Sequence, residues 1–448
     1  MKKNRLKKSL LQSRLLRTLL FLSLPTIVEE ILATLLQYVD TAMVGQLGER
    51  ATASVSITTN VTWLVNSVPG AIGTAILVLI SKADGAGDEK QVRRLSQQAL
   101  FLAVVSGLLL GAVSIALCPF IPVWMGAEEA IREEASRYFF IISLPLVFRC
   151  VSTVLGAALR AVQNTKTPML ISLAANGLNV VLNYLLIYTL GFGVAGAAAA
   201  SAVSYALSGI LMFAACRRNR LLSWKWKEFA LEPGLLKSCA AVGTPVLGSS
   251  VVSCLGYVVF ASLVSGMGTT VFAAHSIAVT AETIFYVPGY GLRSAASTLI
   301  GSARGEKNSE KLRQVGKLSV GLTVAIMCVS GALLYAGARP LMRLFSPSDP
   351  VVSLGAEMLR LVALSEPFFG LMIVLEGIFY GLGRTRYAFF VETAGMWGVR
   401  ILSTWLCVHV WGLGLRAVWY CMIADNVCKA LLFAIPFVKK SIRQKILQ

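Results

Sequence analysis

Histidine is nearly missing from this 448-residue chain, which carries only His275 and His409, and no CxxC pair occurs among its nine cysteines. Two distant histidines do not make a zinc site. The cysteines are scattered, mostly in apolar stretches, and read as small core residues, neither disulfides nor metal ligands. No glycine-rich phosphate loop ending in Gly-Lys-Ser or Gly-Lys-Thr is present, which argues against ATP hydrolysis. No Ser-His-Asp set or HExxH motif is recoverable either. Charge is also scarce, at 14% of residues, and acids number 22 against 41 Lys and Arg. With 56% hydrophobic residues and a mean hydropathy of +0.72, the chain is no ordinary soluble domain.

Long apolar runs take the place of those features. Spanning a bilayer takes about 20 residues, and twelve such stretches are centred near residues 32, 66, 106, 146, 180, 205, 250, 287, 325, 367, 399 and 426. The N-terminus is basic and then apolar without a small-residue cleavage site, which reads as a first membrane helix and not a removed signal peptide. The net charge of +19 is distributed by side, which argues against nucleic acid as its partner. Lys and Arg before the first span, after every even-numbered span and in the tail, such as Lys439, Lys440, Arg443 and Lys445, total 30. The opposite connections hold seven, and Arg149, Arg293, Arg400 and Lys429 fall within spans. This asymmetry predicts a multi-pass protein of the cytoplasmic membrane with both termini cytoplasmic. The basic excess also suits anionic lipid headgroups.

The chain repeats itself. Pro25, Leu35, Val44, Gly48, Ala53, Ser56 and Ile57 recur 220 residues later as Pro245, Leu255, Val264, Gly268, Ala273, Ser276 and Ile277. The correspondence continues through Val68-Pro69-Gly70 with Val287-Pro288-Gly289, Ser143-x-Pro145 with Ser365-x-Pro367, and Gly191-x-Gly193 with Gly412-x-Gly414. Each half holds an even number of spans, so both halves enter from the same side. The expected fold is therefore an all-α membrane protein of twelve helices in two parallel-repeat six-helix lobes, 1–216 and 235–448. A cytoplasmic linker, 217–234, joins them, with Trp224 and Trp226 as interfacial anchors. Pro25, Pro69, Pro145, Pro245, Pro288 and Pro367 lie within spans and are candidates for kinks.

The repeat has one informative mismatch: Asp40 falls opposite Phe260. A charge at the bilayer centre costs roughly 2.5–3.5 kcal/mol on the insertion scale, so each buried acid needs a reason. Burial favours the neutral form of a carboxyl, so such a group can take up a proton near neutral pH. Alternatively it can help to cage a sodium ion. Gln37 precedes Asp40 by three residues on the same helix face. In the fifth span Asn176, Asn179 and Asn183 form one stripe. Asn60 and Asn66 of the second span, with Ser201 and Ser204 of the sixth, extend the polar surface of a candidate cavity. In the second half Arg400 needs a carboxylate, for which Asp425 and Glu282 are candidates at similar depth. Glu376 and Glu392 read as interfacial, near Arg384 and Arg386, and His275 as solvated at an outer helix end.

Taken together, several motifs resemble the multidrug and toxic compound extrusion (MATE) family over essentially the whole chain. They are Pro25…Asp40-x-x-Met43-x-Gly45, Ala83-x-Gly85-Ala86-Gly87-Asp88, Asn179-x-x-x-Asn183-Tyr184, Ala273-Ala274-His275-x-Ile277, Gly381-x-Gly383-x-Thr385-Arg386 and Gly395-Met396-Trp397-x-x-Arg400 with Asp425. The resemblance implies a monomeric antiporter without cofactor or bound metal. It would export small organic, mostly cationic or amphipathic, compounds against inward H+ or Na+. It also implies that Asp40 is the first-helix carboxylate that binds the coupling ion, faced by Asn179 and Asn183. The chain departs from the family where Asn183 stands in place of a frequent acid and where Ser249 and Ser253 occupy a stretch that commonly holds a glutamate. These losses concentrate coupling on Asp40 and favour the proton over sodium. A flippase for lipid-linked sugars shares such lobes but should line its cavity with many more basic residues. A lipid-modifying membrane enzyme would need a catalytic cluster that only Glu29, Glu30 or Glu376 could supply.

Overall fold

The computed structural model describes residues 2–438, and no strand occurs among them. The expected tail cations Lys439, Lys440, Arg443 and Lys445, and the side chains of residues 2–11 and Trp226, lie outside the described residues. Helix is the natural answer to this sequence, because a backbone in lipid must satisfy its own hydrogen bonds. The first half contains α1 (Lys2–Gly45), α2 (Glu49–Gly85), α3 (Glu89–Leu117) and α4, in two segments (Glu129–Ser143 and Leu146–Ala161). It continues with α5, which is α-helical over Lys166–Asn183 and π-helical over Tyr184–Thr189, and α6 (Gly193–Arg218). The second half contains α7 (Pro233–Ser265), α8 (Thr269–Gly305), α9 (Ser309–Phe345) and α10, again in two segments (Asp349–Ala363 and Glu366–Gly381). It ends with α11, an uninterrupted run from Thr385 to Val410 that alternates α and π turns, and α12 (Leu415–Val438).

Nine of these helices are long and apolar enough to cross a membrane, and the two bent pairs bring the number to eleven. The twelfth expected span is α11, whose π turns divide it into short pieces. Only two of the six candidate prolines break their helices. Pro145 and Pro367 sit at bends of 50° and 55° in α4 and α10. Pro25, Pro69, Pro245 and Pro288 stay inside continuous helices.

The repeat extends to backbone detail. Gly48 and Gly268 close the turns into α2 and α8 with φ of +106° and +108°, a region open to glycine but strained for other residues. Asp88 and Asn308 each cap the helix that follows, accepting from the backbone N–H of Gln91 and Lys311 at 2.9 Å. By packing, the chain forms two compact units: residues 31–247, and the residues up to Glu30 together with those from Gly248 on. The start of α1 thus packs with second-half helices, where the Thr26 hydroxyl donates to the Gly291 carbonyl of α8 at 3.2 Å. The start of α7 packs with first-half helices, Gly243 lying against Ala71 and Ala75 of α2. The polar connection after α6 is tied to α3 by the Gln97 and Gln98 amides, which donate to the carbonyls of Glu228 and Ala230 at 3.1 and 2.7 Å. Trp224 is buried in this connection, stacked under Arg217 and against Phe229, and so packs within the protein where a lipid-facing anchor was expected.

Candidate functional site

In the unit of residues 31–247, polar side chains from three helices join in one chain of hydrogen bonds. Asn183, fully buried at the end of the α-helical part of α5, donates its amide N–H to Asp40 Oδ1 of α1. The same Nδ2 lies 3.2 Å from Asn179 Oδ1, one turn earlier. Asn179 Nδ2 in turn reaches Ser201 Oγ of α6 at 3.3 Å. Directly after Asn183 the helix widens to π geometry, a feature frequent at functional sites. Two tyrosines missed by the sequence reading border this group. The Tyr188 hydroxyl lies 2.9 Å from both Met43 O and Gln46 Oε1, tying the end of α1 to α5. Tyr138 of α4 stands within electrostatic range of Asp40, Tyr205 and Arg149. Nothing in the sequence separates Tyr138 from its interfacial neighbours, and the signal for Tyr188 is only its place five residues after Asn183.

The other expected cavity residues do not join this chain. Ser204 is buried and donates to Ala200 O of its own helix at 2.9 Å. Asn66 and Asn176 are half-buried, while Gln37 and Asn60 are exposed. Among the described residues no group of three or more His, Cys, Asp or Glu could hold a metal ion.

The unit that contains most of the second half is built on full charges. Arg400 Nε lies 2.9 Å from Asp425 Oδ2 of α12, a charge contact whose N–H is not aimed along it. Lys429, one turn beyond Asp425, reaches that same oxygen at 3.2 Å and Glu392 Oε2 at 2.9 Å. Arg400 Nη2 also donates to Asn426 Oδ1 at 3.3 Å, and its guanidinium lies over the rings of Tyr257 and Phe260. Gly395 makes room for this group, since a Cβ there would collide with the side chains of Asp425 and Lys429. Of the two expected carboxylates for Arg400, Asp425 is the direct partner. Glu282 stays within electrostatic range of Arg400.

Three expectations are corrected here. Glu376 does not pair at the interface with Arg384 or Arg386. It meets Arg293 of α8 at 2.9 Å and accepts from the Tyr380 hydroxyl. Glu392 pairs with buried Lys429. His275 is buried between Phe260 and Trp419, with ring centroids 5.6 and 5.8 Å away, and so is not solvated. In each case the facing helix supplies a partner that lies far away in sequence.

Comparison with known proteins agrees with this architecture. The probable multidrug resistance protein NorM of Thermotoga maritima is 28% identical over 434 residues, covering 94% of this chain and 92% of that protein. Its namesake in Photorhabdus laumondii is 26% identical, covering 96% of each. An outward-facing structure of a multidrug resistance MATE family transporter of the MOP superfamily shares the fold, with a TM-score of 0.91 at 22% identity over 98% of this chain and 97% of that one. The MatE family profile matches twice, over residues 25–185 and 245–406. Both matches open on the prolines that open the internal repeat, and the chain belongs to the MatE family of multi-pass membrane transporters.

Proposed function

We propose that this transporter exports organic cations and amphipathic compounds from the cytoplasm in exchange for protons, with Asp40 as the coupling carboxyl. The carrying observation is that Asn183 presents its amide N–H, a donor, to Asp40. A sodium cage needs several oxygens converging on one point, whereas this carboxyl is faced by a neutral donor. Asn183 is itself held by Asn179, and Asn179 bonds to Ser201, so a change at Asp40 is felt by α5 and α6. An ionised Asp40 accepts the Asn183 N–H. Protonation removes the charge that strengthens this α1–α5 contact, leaving a weaker neutral bond if the proton sits on Oδ2 and breaking it if the proton sits on Oδ1. Hydrogen bonds to charged groups contribute about 1.5–3 kcal/mol, enough to bias a helix between two packings. The sidedness of Lys and Arg supports cytoplasmic termini and hence outward export.

The test is ethidium transport in proteoliposomes energised separately by a pH gradient or a sodium gradient. The pH gradient alone should drive transport, and Asp40→Asn should abolish it while the protein stays folded in the membrane. Full activity of that variant would remove Asp40 from coupling. Transport driven only by sodium would overturn the choice of ion.

A further inference from the structure

The contacts between α8 and the second segment of α10 keep one register. Arg293 meets Glu376 at 2.9 Å, and the Tyr286 and Phe369 rings lie 5.2 Å apart, both at a separation of 83 residues. A Cβ on Gly381 would meet the Ser297 carbonyl, at a separation of 84. These positions are seven and then four residues apart on α8, close to whole turns, and seven and then five on α10, so one face of α8 runs parallel to one face of α10. One turn before Tyr286 and Phe369, the same register sets Glu282 beside Ser365 and Glu366.

Glu366 is 1% exposed, and neither of its carboxyl oxygens has a hydrogen-bond partner among the described residues. Its carboxyl is within electrostatic range of Glu282. α9 closes the third side and brings no charge to this level, since no Asp, Glu, Lys, Arg or His lies between Lys317 and Arg339. It approaches closely because residue 331 is glycine, where a Cβ would sit 3.2 Å from Glu366 Cβ. Ser330 next to it bonds the Phe285 carbonyl of α8 at 2.5 Å.

The cations of α8, α11 and α12 that could neutralise these acids are engaged elsewhere. Arg293 is held by Glu376, Arg400 by Asp425, and Lys429 by Asp425 and Glu392. Arg400 is within electrostatic range of Glu282, and His275, two turns before Glu282 on α8, is within range of Arg400. Tyr257 also lies near Arg400, Tyr286, Tyr290 and Tyr380 lie around Arg293 and Glu376, and Arg360 of the first segment of α10 is exposed over the Tyr335 ring. Three cations are thus matched by three acids, and Glu282 and Glu366 are in excess. Two carboxylates side by side in a low dielectric do not both ionise. The fold itself does not demand acids here, because the equivalent positions of the first half, at offsets of 219 and 222, are Trp63 and Leu144.

We propose that Glu282 and Glu366 form a proton-binding pair that carries one negative charge in place of two, and that this proton exchanges with the medium during transport, independently of Asp40. Uptake converts one carboxylate oxygen to O–H, and release returns the proton to water with no other bond changed. The exchange role rests on the proton-antiport reading above; the stored proton does not.

The test is an infrared pH titration of full-length protein in lipid nanodiscs, following the C=O stretch of neutral carboxyl groups in an Asp40→Asn background. A titrating neutral-carboxyl signal should persist in that background, vanish in Glu366→Gln, and be displaced by about one pH unit or more in Glu282→Gln, the coupling expected of an interacting pair. No such signal in the Asp40→Asn background overturns the stored proton. A signal unmoved by Glu282→Gln makes Glu366 a lone acid and overturns the pair. In proteoliposomes with Asp40 intact, each Gln variant should shift the pH gradient at which ethidium flux reverses, and an unshifted reversal overturns the exchange role. Failure of the wild-type protein to use a pH gradient would sink the antiport reading alone, since the infrared result does not depend on transport.

Discussion

Equivalent positions in the two halves carry opposite solutions to the same packing problem. At offsets of 220 or 221, Gln37 corresponds to Tyr257, Asp40 to Phe260, Asn179 to Arg400, Ser204 to Asp425 and Ser208 to Lys429. The first half surrounds one acid with neutral amides and hydroxyls. The second sets an apolar ring beneath Arg400, one member of a group of fixed charges that compensate one another. A single carboxyl with a neutral donor can gain or lose a proton and leave no other charge stranded. A closed set of ion pairs cannot change one member without exposing another to the full cost of a buried charge. The same pseudo-symmetric scaffold thus holds an element suited to change state beside one suited to hold its shape.

The largest test of this contrast moves the carboxyl to its twin position. In Asp40→Asn/Phe260→Asp the new acid would lie beside Arg400, whose guanidinium is 5.7 Å from the present ring centroid, and would join that cation. Ethidium export should stay at background, whereas recovered export would mean the two positions are interchangeable. Next in size is Arg400→Ala, which leaves Asp425 with Lys429 as its only direct cation. Breaking a buried pair in this way costs about 3–5 kcal/mol, which should appear as a large fall in melting temperature of the purified protein. Arg400→Ala/Asp425→Ala should recover much of that loss. Unchanged melting of the single variant would deny the network its structural role.

The sequence carried the architecture because a helix in lipid needs a long apolar run and a duplicated chain keeps its prolines and glycines in register. Asp40, Asn179 and Asn183 stood out for a related reason: polar groups in lipid are costly, and their spacing put the asparagines on one face. Pairing between helices was less legible. Arg384 and Arg386 are near Glu376 in sequence, yet the register of α8 against α10 gives Arg293 to that carboxyl. His275 lies close to a helix start, where solvent is the natural expectation, but Phe260 and Trp419 close over it. The surplus of Glu282 and Glu366 emerges only when every neighbouring cation has been assigned a partner. The units also exchange the first parts of α1 and α7, a crossing that a linear division of the chain does not reveal.

Smaller effects sharpen the first half of the comparison. Asn183→Ala removes the donor to Asp40 and the link to Asn179 together. A lost hydrogen bond to a charged group is worth about 1.5–3 kcal/mol, so pH-driven export should fall roughly 10- to 100-fold. Export within about twofold of wild type would show that Asp40 works without this partner.

The smallest effect is expected at Tyr188, whose repeat counterpart at an offset of 221 is His409. Both residues pair with an aromatic ring one turn earlier, Tyr184 at 5.9 Å in the first half and Trp405 at 6.0 Å in the second. Tyr188 adds a hydroxyl that bridges to Met43 O and Gln46 Oε1 at the end of the helix that carries Asp40. Tyr188→Phe keeps the ring pair and removes only that tie. The hydroxyl is not enclosed by protein, so the cost should be near the low end for a hydrogen bond, about 0.5 kcal/mol. Melting should therefore barely move, while ethidium export should drop about twofold if the end of α1 must follow α5 as Asp40 changes charge. Equal export by Tyr188→Phe and wild type would show that the Asp40–Asn183 contact alone couples the two helices, and that the second tie belongs to folding.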